Sequence, residues 1–267
     1  PMVDIARDPR WGRVVEGAGE DAYLGSRMAA AQVVGFQGSD LSAADTIMAG
    51  TKHFGAYGAA EGGRDYAGAE VSERVMRETY LAPFRAAAEA GSASYMTAFN
   101  ALNGVPTTGN EALLRTMLRE EWGWNGLLLS DWRAVEELMA HGVAGSRSDA
   151  ARLALEASVD MDMVADVYAG DLKQAIEGDP ALLPLLDQAV RRILDAKRKL
   201  GLFDDPYKYH DAAREAEVIL SSDHRAAARD IAERSFVLLK NEGDILPLTK
   251  GAQKIALVGA LADDALS

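Results

Sequence analysis

The chain has 267 residues and is 48% hydrophobic, enough for a sizeable buried core. Its 41 acidic residues against 28 basic ones give a net charge of −13, which argues against a nucleic-acid surface and for a neutral substrate. There is no cysteine, so disulfides and thiolate metal sites are excluded, and no apolar run reaches membrane-spanning length.

In chain order the pattern alternates strand and helix, which predicts an α/β fold with parallel strands and helical crossovers. Met2 to Ile5 reads as a strand, Asp21 to Gln37 as a helix stopped by Gly38, and Thr46 to Thr51 as a strand leading into Lys52-His53. After a Gly-rich loop, Ser72 caps a predicted helix with Met76, Tyr80, Phe84 and Ala87 on one face, kinked at Pro83. Ser94 to Phe99 is a strand, and Asn103-Gly104-Val105-Pro106 is a turn. Asn110 caps the next helix, and Gly126-Leu127-Leu128-Leu129 is a buried parallel strand running into Ser130-Asp131-Trp132. A helix over Asp149 to Glu156 and a short strand over Ser158 to Met163 follow. A long helix then carries Leu186, Val190, Ile193 and Leu194 and closes at Gly201.

These units amount to most of a (β/α)8 TIM-like barrel without completing it. Beyond Pro206 the character changes to a polar stretch, a helix from about Ser222 to Lys240 and a strand over Lys254 to Gly259. The expected organisation is the C-terminal major part of a barrel over residues 1–206, its N-terminal strands missing. A linker over 207–230 and the truncated beginning of a second α/β sandwich domain over 231–267 complete it. A chain that opens in strand-like sequence at Pro1, without a Met start, reads as an internal fragment.

Asp131 stands where strand meets loop, the edge on which barrel enzymes keep catalytic groups. A carboxylate beside an indole there offers a nucleophile for an anomeric carbon and a flat apolar surface for a sugar face. The same position also suits a helix N-cap. Lys52 and His53, at another strand end, place two donors where adjacent sugar hydroxyls would lie; solvated or internally satisfied side chains are the plainer reading. Arg13 offers a guanidinium fork for vicinal hydroxyls or for a neighbouring carboxylate. Met96, within a strand, reads as core, and Asp160 and Asp162 read as caps or internal salt bridges, since a metal would need further ligands. No nucleophile elbow, HExxH pair or phosphate loop appears, and nothing calls for a cofactor.

Taken in order, Asp8-Pro9-Arg10-Trp11-Gly12-Arg13, Lys52-His53-Phe54, Glu61-Gly62-Gly63-Arg64-Asp65-Tyr66 and Ser130-Asp131-Trp132 resemble glycoside hydrolase family 3, most of all its periplasmic β-glucosidase branch. Asn103 to Pro106, Val159 to Met163, Gly201-Leu202-Phe203 and Ser235 to Asn241 extend the resemblance over nearly the whole chain. It implies a retaining, exo-acting β-glycosidase working by double displacement, periplasmic or secreted, without cofactor, nucleic acid or membrane partner. Asp131 would be the nucleophile; Arg13, Lys52 and His53 would bind hydroxyls of the terminal sugar. Met96 would line the same subsite, and Trp132 would flank the leaving-group side. The acid/base carboxylate would come from the second domain, outside this chain, so the isolated fragment would be weakly active or inactive.

Phe99 stands where family members often carry Tyr. The N-acetylglucosaminidase branch typically has another histidine after its Lys-His-Phe, and residues 55–66 contain none. A β-xylosidase is the alternative within the family. From other classes, the alternatives are a Schiff-base lyase using Lys52 and a sugar-binding module without catalysis.

Overall fold

A computed structural model describes residues 1–251 and 253–264. The chain divides into two compact units, Pro1–His210 and Asp211–Ser267.

The first unit is α/β. Four parallel strands, β1 (Gly50–Phe54), β2 (Ser94–Thr97), β3 (Leu127–Trp132) and β4 (Met161–Met163), lie side by side in sequence order. Consecutive parallel neighbours joined through helices form an arc of a (β/α)8 barrel, and all four strands end on the same edge. Registers such as Met96 opposite Leu129, and Trp132 opposite Met163, bring the strand ends level. The interior is apolar: Phe54, Tyr95, Leu114, Leu118, Leu128 and Leu155 are essentially inaccessible to solvent. Tyr95 stacks on Trp124 with centroids 4.5 Å apart, and its hydroxyl donates to Phe84 O at 2.6 Å, so its polar tip is satisfied within the core.

Local signals set most helix ends. Helix Ala22–Gln37 starts where Asp21 Oδ1 accepts from Leu24 N at 2.6 Å, and it ends at Gly38 with φ of 56°. Ser72 and Asn110 cap as expected, accepting from Val75 N at 3.3 Å and Leu113 N at 3.0 Å.

Several elements depart from the expectation. Met2 to Ile5 makes a single bridge, Met2 to Lys52, in place of a strand, because only its first residues run alongside β1. Pro83 does not kink a continuous helix. It sits in the first turn of a new one, Ala82–Glu89, where its missing N–H costs nothing. The helix Val167–Gly178 has no counterpart in the periodicity reading; Asp162 Oδ2 accepts from Val167 N at 2.7 Å at its start. In helix Leu183–Lys199 the apolar stripe is only partly covered, with Ala189 the buried residue of that helix.

In the second unit, Asp211 and Ser221 cap helices Ala212–Val218 and Ser222–Ser235, so the stretch expected as a linker is largely helical. Residues 254–259, read as a strand, are exposed and form no strand pairing among the described residues, since a strand forms only against a neighbour that takes its N–H and C=O groups.

One glycine shapes the wall beside β1. A Cβ on Gly58 would lie 2.2 Å from Ile5 O and 2.8 Å from Ile5 C, while Gly58 O accepts from Arg7 N at 2.9 Å. Gly58→Ala is therefore expected to push this loop off the first segment and to cost about 2 kcal/mol, by the usual penalty for overpacking against backbone. Urea denaturation measures it, and an unchanged midpoint would show that the loop yields freely.

Candidate functional site

The C-terminal ends of the strands gather the site. His53 on β1 is fully buried, and Asp131 on β3 is 7% exposed. His53 Nε2 stands 3.4 Å from Asp131 Oδ2, an ion-pair distance slightly longer than a well-formed hydrogen bond. Asp131 Oδ1 accepts from Trp132 N at 2.6 Å, while Oδ2 is buried without a hydrogen-bond partner among the described residues. The carboxylate is thus gripped by one oxygen and has the other free toward the histidine. It is not a helix cap, for its one backbone partner is the adjacent residue of its own strand.

The far side of the imidazole is also held by a carboxylate. Asp4 Oδ2 lies 2.8 Å from His53 Nδ1 and accepts from His53 N at 3.2 Å, with both side chains almost completely enclosed. Asp4 was not apparent as a site residue from sequence, where a single Asp in a strand-like run carries no sign of its partner.

Tyr57 forms the adjoining wall. Its ring meets His53 edge-on at 5.2 Å and Trp11 at 5.3 Å, and Arg13 lies over its face at 5.4 Å. Burial raises the Tyr57 phenol well above its ordinary value, with the neighbouring Asp65 adding to the effect, so it stays protonated. Asp65 also accepts from Trp11 Nε1 at 2.9 Å, which ties the Glu61-to-Tyr66 loop to the first segment.

Arg13 pairs with Glu16, Nε to Oε1 at 2.5 Å and Nη2 to Oε2 at 3.0 Å; that bidentate pair raises the guanidinium further and lowers the Glu16 carboxyl. Lys52 and His53 also act electrostatically on Glu16, so Arg13, Lys52 and His53 converge on one region. Met96, half-buried, lies on β2 between the strands of His53 and Asp131. Trp132 is 57% exposed beside Asp131, an indole face open to solvent.

Two residues join the rim that were not expected. Tyr66, half-exposed, packs against Phe99 with ring centroids 4.6 Å apart and planes tilted by 35°; Phe99 is the residue standing in the usual Tyr position. Glu137 is partly buried, and burial, reinforced by the charge of Asp131, raises its carboxyl above the ordinary range. Asp160 and Asp162 stand apart in roles the sequence allowed: Asp160 forms buried salt bridges to Arg119 and Arg192, and Asp162 accepts from Val167 N at the helix start.

Known proteins share this fold. A periplasmic beta-glucosidase of Salmonella typhimurium is 43% identical over 98% of this chain, which spans 35% of that protein. A beta-xylosidase of Formosa agariphila is 41% identical over 99% of this chain and 38% of its own length. The crystal structure of a Listeria innocua beta-glucosidase mutant with laminaribiose superposes with a TM-score of 0.90 at 43% identity, covering 94% of this chain and 35% of that one. The chain therefore spans about a third of the length of these relatives. The model of the glycosyl hydrolase family 3 N-terminal domain matches residues 1–196, and on that match together with these likenesses the chain belongs to glycosyl hydrolase family 3.

Proposed function

We propose that the full-length protein containing this chain is a retaining, exo-acting β-glucosidase that removes terminal non-reducing β-D-glucosyl residues by double displacement. The observation that carries this reading is the Asp131 carboxylate: recessed at the end of β3, with an unpartnered oxygen facing the His53 imidazole and an exposed indole at its side. In the first step Asp131 Oδ2 attacks the anomeric carbon while an acid protonates the departing oxygen. In the second, water displaces the carboxylate from the glycosyl-enzyme with the same acid group acting as base. That acid/base is assigned to the parent protein outside this chain, as is the rest of the pocket. Arg13, Lys52 and His53 are assigned to hydroxyls of the terminal sugar, Met96 to its subsite and Trp132 to the leaving-group side. Lys52 stands near the charged Glu16, a setting that supports hydroxyl binding over imine formation. The name of the Salmonella relative supports a periplasmic location, and no helix among the described residues is long and apolar enough to cross a membrane.

Incubating the full-length enzyme with a 2-deoxy-2-fluoro glucoside and mapping the labelled peptide tests the assignment. The label is expected on Asp131, and its attachment to any other carboxylate overturns the reading. Because relatives are named both beta-glucosidases and beta-xylosidases, a β-xylosidase is the second reading. It is separated by kcat/KM for 4-nitrophenyl glucoside against the xyloside.

A further inference from the structure

We propose that Asp4 is a positioning residue that holds His53 as the doubly protonated imidazolium, giving Asp131 a fixed positive partner. The inference rests on the reading of Asp131 as nucleophile.

The argument is an inventory of protons. The Asp4 Oδ2 to His53 Nδ1 distance of 2.8 Å demands a proton between the two atoms, and the second bond from His53 N to the same oxygen at 3.2 Å marks that oxygen as an acceptor. Nδ1 therefore carries hydrogen. If Nε2 were bare, its lone pair would face Asp131 Oδ2 at 3.4 Å, two buried acceptors set against each other with no other partner for either among the described residues. A proton on Nε2 turns that opposition into attraction. The enclosed group then consists of two carboxylates and one imidazolium, with a single net negative charge. When the Asp131 charge is used up in the glycosyl ester, Asp4 and His53 remain as a neutral pair.

The surroundings are compatible with a charged ring. Tyr57 meets it edge-on as a neutral phenol, and the Glu16 carboxylate acts on it electrostatically from the first segment. Lys52, its chain neighbour, and Arg13, over the Tyr57 ring, supply the opposing positive charges, and Arg13 is already neutralised by Glu16. Around Asp131 stand Glu137 and the phenol of Tyr66.

The test is Asp4→Asn in the full-length enzyme. Asn can still accept the Nδ1 hydrogen but brings no charge, so the ring gives up its second proton more readily and Asp131 loses its cationic partner as pH rises. The alkaline limb of kcat/KM for an activated aryl glucoside is expected to move to lower pH by about one unit, the low end of the shift an opposite charge produces at this range. A uniform drop at all pH values with the limb unmoved, while the 2-deoxy-2-fluoro glucoside still labels Asp131, overturns this inference alone. A label elsewhere overturns the underlying reading as well. Should the variant fail to fold, the ring-nitrogen NMR spectrum of 15N-histidine-labelled wild type decides, with the His53 signals identified by their loss in His53→Gln. Two protonated nitrogens at neutral pH support the proposal, and a bare Nε2 refutes it.

Discussion

Asp131→Asn is expected to lower kcat/KM of the full-length enzyme by roughly 10⁴-fold or more, the scale seen when a catalytic nucleophile is removed. The fold should persist. The side chain accepts one hydrogen bond, from the neighbouring Trp132 N, and an amide of the same size can still accept it through its oxygen. The expected signature is an unchanged far-UV spectrum together with complete loss of covalent trapping by a 2-deoxy-2-fluoro glucoside. Retention of activity within tenfold of wild type would remove Asp131 from the mechanism. Unfolding of the variant would reassign it to a structural role.

Asp160→Ala should produce the largest loss of stability, about 3 to 5 kcal/mol, because it strips the shared partner from buried groups that then stand unpaired. Asp160 Oδ2 accepts from Arg119 Nη2 at 2.7 Å and from Leu128 N at 2.8 Å, and Oδ1 accepts from Arg192 Nη1 at 2.9 Å. Arg119 also donates to Gly126 O at 2.5 Å and lies over the Trp124 ring at 4.7 Å, so helix Ala112–Glu121 is bolted to the base of β3.

The pKa directions explain why deletion rather than titration is the damaging change. Burial pushes Asp160 up against the pull of its two arginines, and burial pushes Arg119 down to about 10. Both shifts favour the uncharged forms, so desolvation outweighs attraction and the pair as a whole adds little net stability. An acid with a raised folded pKa stabilises below its unfolded value of 3.8 and loses that contribution as pH rises through the folded value. At neutral pH the cost of Asp160→Ala is therefore that of orphaned guanidinium and N–H groups. Urea denaturation reads it, and a loss below about 1 kcal/mol would mean that water reaches Arg119 and relieves it. Asp160→Asn, which keeps an acceptor for Leu128 N, should lose less.

Much of this site could be read before any fold was known, and the parts that could not share a cause. The strand before Asp131, the Lys-His pair and the early arginine are local patterns, each carried by a few adjacent residues. Asp4, Tyr57 and Glu137 have no such pattern. Asp4 matters because a bridge from Met2 to Lys52 lays the first segment against β1, and Tyr57 because Gly58 lets its loop touch the backbone of Ile5. Those are contacts between distant stretches, and a single sequence does not state them. Arg13 shows a subtler limit: its fork was open to a sugar or to a carboxylate, and in the fold it holds Glu16. The missed helix Val167–Gly178 opens with Val167 and Tyr168, whose N–H groups are taken by Asp162 from five and six residues back, beyond the usual capping spacing.

The strand succession β1 to β4 brings a further consequence. Because His53, Met96 and Asp131 each come from a different strand, every contributor is followed by its own connector, and none depends on another's loop for its anchorage. A lineage can therefore lengthen or rewrite one connector, and with it one stretch of the rim, while the Asp131 carboxylate keeps its place.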